Sequence, residues 1–496
     1  MNKVLWLWGA LLLVAAMRLH GLAAAALPDY DSVRNWQIVQ EVAHGNLRNL
    51  FHHGSPGFSL LYAPVAWFTT DFHVFQCLNA LVAVAAVGWL TLFVSRVAKL
   101  AGYEIALLVL FIGTSIFLTF SGRDFTMGSW SLVAFTGLLQ AYYQRLYLAT
   151  PRSLFRAAVW VAVGLCINYK FLLTLPILLV FELLQQDGLL FKVGNLLRIA
   201  AILAAPYVLL VAVSVLVGLQ WYRWLAVYYN IMSPGAPNAA GRLGMTQTHL
   251  DALYYLKYIR DFESPLVLLG LFAVPVLWWR ALFNKLKQPN LIRYLAIWAY
   301  CFLVGMSLLL KAPRGLLLVY GLLYVLAFLS LRRVLDKRWW ALTLVVLVAT
   351  GFNVRRIQQE IYAYMPTHYQ DVAAWLQQHE NPAVVSTVGQ GLAPFVGPSS
   401  VAVITDEQAL PALHQQGYRY VLLDGYWRVT NVRHFDSLRQ LPAVAAWPEP
   451  MLTSPLLFLE HSEYTSLGYN ETLALQRAAS RDSLQLRLIL LDDRIR

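Results

Sequence analysis

LPDYDSVRNWQIVQEVAHGNLRNLFHHGSPGF, residues 27–58, follows directly on an apolar run and places Asp29 and Asp31 within five residues of its end. His44, His52 and His53 come next, then the turn Gly54-Ser55-Pro56-Gly57. A carboxylate at a hydrocarbon boundary is costly unless it is solvated or used, so chemistry is expected here first.

That the boundary is a membrane follows from composition. The chain has 496 residues, 59% hydrophobic and 13% charged, against roughly 25% charged in soluble domains. Cys77, Cys166 and Cys301 all fall in apolar segments, with neither disulfide nor zinc-type spacing; they read as small buried hydrophobes. The formal charge of +12 is unevenly spread. From Val354 onward there are 11 Arg, no Lys and 14 acids, against 27 basic and 12 acidic residues before it. The excess belongs to the membrane part, where positive charge sets orientation, and no nucleic-acid partner is implied.

Working outward from the loop, residues 4–26 form an opening span, too long for the apolar part of a cleaved signal. Arg18 lies inside it; it either snorkels to the surface or pairs with an acid in the bundle. Residues 57–72, broken by Pro64, suit an interfacial helix. Further spans are expected at 73–94, 103–120, 127–148, 157–169, 171–184, 199–219, 264–282, 294–310, 315–330 and 339–353, eleven in all. The segments 157–169 and 171–184 are short for spans. They are one long helix or two, and Lys170 at the junction favours two, because mid-membrane it would be stranded.

Loop charges orient the chain. With Lys3 inside, the short connections on that side hold 16 basic residues, Arg145, Arg152, Arg156 and Arg198 among them, against ten on the other. The amino end is therefore cytoplasmic, as expected of a multi-pass protein of the bacterial inner membrane. The loops at 27–72 and 220–263 then face outward, with Arg123, Asp124, Lys170, Lys311 and Arg314. The fold expected for residues 1–353 is α-helical and polytopic.

After Asn353 the pattern changes. Residues 367–380 suit a helix, 383–388 and 400–405 short strands, 406–417 a helix closed by Gly417, and 418–425 another strand. Residues 354–496 thus read as a small α/β extracytoplasmic domain. Asn470-Glu-Thr fits a glycosylation acceptor, a three-residue pattern common by chance. There is no internal repeat.

Asp31-Ser-Val-Arg-Asn-Trp36, then Gly45, then Phe51-His-His-Gly-Ser-Pro-Gly57 resembles the first outer loop of the GT-C membrane glycosyltransferases. The branch concerned contains protein O-mannosyltransferases and the lipid A aminoarabinose transferase. In that family an acid, usually followed by Glu, opens the loop, with an aromatic and a glycine at the spacing of Trp36 and Gly45. Departures are Ser32 in place of Glu, and Gly54-Ser55 between His53 and Pro56. Arg18, Ser121-Gly-Arg-Asp124, Gly164-Leu-Cys-Ile-Asn-Tyr-Lys170 and Lys311-Ala-Pro-Arg314 resemble later family segments in order, Gly315 replacing an aromatic. The resemblance covers about residues 10–353.

It implies transfer of a sugar from a polyprenyl phosphate or diphosphate to a lipid, protein or envelope-glycan acceptor at the outer face, with inversion. The phosphate leaving group is already anionic and needs a cation rather than an acid; Arg123, Lys170, Lys311 and Arg314 are candidates, with His53 beside them. Each cation has the alternative of interfacial snorkelling. The acceptor hydroxyl needs a base, and Asp31 is the choice, with Asp29 and Asp124 as further candidates. Arg123 and Asp124 alternatively pair to stabilise a span end. Some relatives use a divalent metal held by acids; nothing in this sequence requires one. Trp and Tyr read mostly as interface belts, with Trp221, Tyr222, Trp224, Tyr228 and Tyr229 alternatively flanking lipid or sugar. A transporter or lipid flippase without covalent chemistry is the rival class, opposed by the absence of repeated halves.

Overall fold

A computed structural model describes residues 3–27, 30–52, 55–185, 187–222, 251–283, 290–309, 311–336, 338–379, 383–387, 391–404, 406–429, 435, 437–465, 467–481 and 485–491. Asp29, His53, Trp224, Tyr228 and Tyr229 lie outside the described residues.

Every expected apolar segment carries a helix. The first ten helices are α1 Lys3–Leu19, α2 Tyr30–Ala43, α3 Gly57–Ala66, α4 Phe72–Ala98, α5 Gly102–Gly113, α6 Ile116–Arg123, α7 Gly128–Leu148, α8 Pro151–Ile167, α9 Thr174–Gln185 and α10 Val193–Leu216. They are followed by α11 Tyr254–Phe262, α12 Pro265–Leu277, α13 Leu291–Ser307, α14 Tyr320–Leu335 and α15 Trp339–Glu360. Among the described residues four helical stretches are long and apolar enough to cross a membrane on their own: Lys3–Ala24, Phe72–Ala98, Val193–Leu216 and Trp339–Tyr364. The bent pair α5–α6 makes a fifth if counted as one span. The shorter helices take their place by packing: α14 is buried continuously from Tyr320 to Ser330, so its neighbours rather than its own length hold it.

Local chemistry sets the ends. Asp71 caps α4 by accepting from the His73 N–H at 3.0 Å, and Thr150 caps α8, with Pro151 at its first turn. Residues 157–169 and 171–184 are two helices, separated by a 3-10 turn over Tyr169–Leu173 that contains Lys170.

The 67° bend between α5 and α6 is held by a residue with no signal in the sequence. Glu263, fully buried, accepts from the N–H groups of Ile116 (3.2 Å) and Phe117 (3.0 Å) and from the Tyr324 hydroxyl at 2.6 Å. A carboxylate there satisfies the exposed donors of the restarted helix. Arg18 is buried too, and its guanidinium donates to the Gly113 carbonyl at 3.3 Å. It neither reaches the surface nor pairs with an acid among the described residues, contrary to both expectations. The membrane-spanning Arg can instead use a carbonyl that the bend leaves open. Arg145, counted above as a loop charge, is buried as well, bonded to Glu182 and Asp187 at 2.8 Å each.

Helix α15 continues past the expected boundary at Asn353 to Glu360. Beyond it lie α16 Tyr369–Gln378, α17 Leu410–Gln415, α18 Pro455–Glu460 and α19 Tyr469–Arg481. They accompany strands β1 Val384–Ser386, β2 Val401–Val403, β3 Tyr420–Leu423, β4 Ala445–Pro448 and β5 Gln485–Leu490, in sheet order β2-β1-β3-β5-β4. The first three expected elements of this region sit where the sequence puts them. Strands β1, β2 and β3 run parallel, and β5 is antiparallel to both β3 and β4. Alternation along the strands splits the sheet into two faces. Val385, Val421, Leu423 and Ile489 meet Leu410 on one side. On the other, Val384, Leu422 and Leu488 join Val372 and Leu376 in a cluster that runs on into Val33, Trp36, Phe58 and Phe125. The sheet is thereby packed onto the segment that carries Val33, Trp36 and Phe58.

Candidate active site

The loop after α1 supplies Asp31 in the first turn of α2. Trp36, five residues on, buries its ring and donates its indole N–H to the Thr70 carbonyl at 2.9 Å. Asn35 reaches the Phe125 carbonyl at 3.2 Å. These bonds fix the rotation of α2 and hence the direction of Asp31, whose side chain is 35% exposed.

Ser32, the departure from the usual acid, has a defined task. Its hydroxyl donates to the carboxylate of Asp124, which also accepts the Phe125 N–H at 2.7 Å. Asn79 donates to the Asp124 carbonyl at 2.6 Å and is itself held by the Tyr62 hydroxyl at 2.9 Å. Asp124 is therefore a buried knot between α2 and the α6–α7 turn. A Glu at position 32 would confront that carboxylate with a second negative charge.

One cation meets Asp31 from far along the chain, and a second stands on that cation's backbone. Arg314, in the short turn before α14, brings its guanidinium to 3.9 Å from the Asp31 carboxylate. Lys170 donates its ammonium to the Arg314 carbonyl at 3.3 Å. Lys170 is aimed by Asn168, whose side-chain oxygen accepts the Lys170 N–H at 3.0 Å and whose amide donates to Ser131 at 3.1 Å. Gly315 follows because a Cβ there would lie 2.4 Å from the Tyr255 hydroxyl and 2.7 Å from Met306. The phenol of Tyr255, on α11, takes up room that an aromatic at 315 would need.

The other two expected cations point elsewhere. Arg123 donates to the carbonyls of Arg18 and His20, both at 2.8 Å, and lies 5.1 Å from the centre of the Tyr362 ring. It joins the end of α6 to the end of α1, and it makes no ion pair with its neighbour Asp124. Lys311 folds its ammonium onto the carbonyls of Met306, Ser307 and Leu309, where the end of α13 favours a cation. Burial draws its pKa below the ordinary lysine value.

One site residue lay beyond sequence reading. Glu460 closes α18, accepts the Arg314 backbone N–H at 3.0 Å and lies 3.8 Å from the Arg314 Nε. Its neighbour Ser462 donates to the Lys311 carbonyl and shares a 2.7 Å bond with the Tyr254 hydroxyl. Nothing in the run LLFLEHSEY distinguishes Glu460 from a solvated acid at a helix end. Among the described residues no three His, Cys, Asp or Glu side chains are grouped as a metal site.

The fold that assembles these residues is the GT-C fold. The crystal structure of ArnT from Cupriavidus metallidurans bound to undecaprenyl phosphate is similar with TM-score 0.58 and 13% identity, covering 90% of this chain and 96% of that one. Its apo state is similar with TM-score 0.56, also at 13% identity, over 90% and 95% of the two chains. At that identity the likeness is one of fold. The sequence matches no family model and no curated protein.

Proposed function

We propose that this chain is a membrane glycosyltransferase that moves a sugar from a polyprenyl-phosphate carrier to an acceptor at the outer face of the bacterial inner membrane. Asp31 removes the proton from the acceptor hydroxyl as its oxygen bonds to the anomeric carbon. The bond from that carbon to the phosphate oxygen breaks, and its electron pair stays on the phosphate. Arg314 and Lys170 compensate the charge left there. Attack from the side opposite the phosphate inverts the anomeric centre.

The observation that carries this reading is the approach of Arg314 to Asp31 across 283 positions of sequence, with the Lys170 ammonium on the Arg314 carbonyl. A base within a few ångströms of a phosphate-binding cation is the minimum this chemistry requires. The related fold seen with undecaprenyl phosphate supports a lipid of that class as the donor. In this reading eleven segments span the bilayer with the amino end cytoplasmic, and residues beyond Glu360 form an extracytoplasmic domain closing over the site.

The test is transfer from a polyprenyl-phosphate sugar by purified protein in lipid nanodiscs. Asp31→Asn keeps the shape and removes the base, and is expected to lower turnover at least a thousandfold while donor binding persists. Full activity in that variant would falsify the assignment. A chain that only moves the lipid would leave the sugar–phosphate bond intact in every variant.

A further inference from the structure

Helices α7 and α8 lead away from the site. Helix α7 starts four residues after Asp124, and its 21 residues carry it about 31 Å. Where it hands over to α8, a groove of about 920 Å³ opens between α4, α7, α8 and α10. Arg152, Arg156 and Arg198 line it, and all three are exposed. No acid lines it among the described residues. Arg198 lies 5.7 Å from the centre of the Phe155 ring, and none of the three arginines has an ion pair among the described residues.

Positive charge gathers at this end of the bundle in any case, so a second cavity nearby is the comparison that matters. It measures about 860 Å³ and is lined by Lys3, Lys99, Arg332 and Arg333, with Glu104 and Asp336 among them. There both arginines are engaged: Arg332 donates to Glu104 at 2.6 Å, and Arg333 lies 4.2 Å over the Trp278 ring. The arginines of the first groove have no such counter-charge among the described residues.

Its floor says what kind of anion fits. Trp89 and Trp160 pack edge to face with ring centres 5.4 Å apart. Gly137 allows this, because a Cβ there would stand 2.5 Å from the Trp160 ring; the ring therefore lies flat on α7 and the groove runs toward mid-helix. Beside this floor, the Gln140 amide oxygen is engaged by the Trp89 indole N–H at 2.7 Å. On the flank, only 11% of the apolar window of α10 is buried, so the groove is open sideways to the bilayer. Charge at the mouth and an aromatic, laterally open floor suit a molecule with a phosphate at one end and hydrocarbon at the other.

We propose that this groove is a binding site for an anionic glycerophospholipid of the leaflet remote from Asp31. The arginines hold the phosphate and the tryptophan floor holds the upper acyl chain.

The test is native mass spectrometry of the full-length protein, delipidated in detergent and titrated with phosphatidylglycerol or phosphatidylcholine. Wild type is expected to keep one or two phosphatidylglycerol molecules, at least tenfold more tightly than phosphatidylcholine. The combined variant R152Q/R156Q/R198Q is expected to lose at least tenfold, whereas K99Q/R332Q/R333Q at the second cavity retains wild-type binding. Equal binding of both lipids, or unchanged binding in the groove variant, overturns the proposal. So does displacement by millimolar inorganic phosphate, which would make the groove a soluble-anion site. Should the combined variant fail to fold, the single Arg→Gln variants at exposed positions decide: graded losses support the site, three unchanged singles overturn it. None of these readouts depends on sugar transfer.

Discussion

Glu460 accepts the Arg314 backbone N–H at 3.0 Å and stands 3.8 Å from the Nε of its guanidinium. The difference matters for a residue proposed to bind a phosphate. An incoming phosphate competes with Asp31 and Glu460 for the guanidinium, whereas the grip on the N–H is untouched by that exchange. Glu460 therefore keeps Arg314 in place while the guanidinium changes partner. Glu460→Ala is expected to raise KM for the lipid donor about tenfold with a smaller change in kcat. Glu460→Gln, which keeps an oxygen for the N–H, should lie between that variant and wild type. A kcat loss equal to that of Asp31→Asn, with KM unchanged, would remove the positioning role.

Lys170 presents its ammonium at the carbonyl of Arg314, the same residue whose N–H Glu460 accepts. If it reaches the leaving phosphate, its interaction grows as the sugar departs, so its loss falls on kcat. Lys170→Ala is expected to lower kcat on the order of a hundredfold, and Lys170→Arg to recover part of it. Asn168→Ala should reproduce a milder form of the defect, because the Lys170 turn loses its acceptor at 3.0 Å. Single-turnover kinetics with saturating donor make the measurement.

How much of this was legible beforehand depended on which groups carried a local signature. Apolar runs and their Lys and Arg flanks gave the helices, and the alternation in 383–425 gave β1, β2, β3 and the helix between β2 and β3. Asp31, Lys170 and Arg314 were readable because a charge beside a long apolar run is costly in itself. Arg123 and Lys311, chosen by the same rule, donate to backbone carbonyls, which can satisfy a cation at a helix end as a ligand phosphate would. Glu263 and Glu460 left no trace, because each acts on backbone donors more than a hundred positions away. Strands β4 and β5 were missed for a related reason. Ala445–Pro448 is only partly buried along an edge of the sheet, and its pairing with Gln485–Leu490 bridges a helical stretch.

Glu263 offers a test of the fold apart from the chemistry. Its carboxylate takes the Ile116 and Phe117 N–H groups and the Tyr324 hydroxyl, none of which has water as an alternative inside the bundle. Glu263→Ala strands these donors and is expected to cost on the order of 3 kcal/mol. It should also loosen α6, which ends at Arg123 and leads directly into Asp124. Glu263→Gln keeps one acceptor oxygen and should cost less. Thermal unfolding in nanodiscs reads the stability, and cysteine accessibility at Ser121→Cys reads the position of α6.

Glu449 makes the carboxyl-terminal region sensitive to pH. It is 2% exposed, and burial pushes its pKa from 4.5 up to about 7, although the His368 N–H at 2.9 Å and the Thr367 hydroxyl at 3.4 Å partly offset this. Its second oxygen, Oε1, has no hydrogen-bond partner among the described residues, so half of the ionised group goes uncompensated. A carboxyl whose folded-state pKa is raised is bound more tightly to its proton in the fold than in the open chain. Its contribution is then complete below about pH 4.5 and lost as pH rises toward 7, where the loss reaches at most about 3 kcal/mol. Local opening around residues 367–372 and 445–450, followed by hydrogen exchange in the full-length protein, should grow between pH 5 and 7 after correction for the intrinsic rate. Glu449→Gln, neutral throughout, is expected to abolish that dependence; an unchanged pH profile in the variant would assign it to another group.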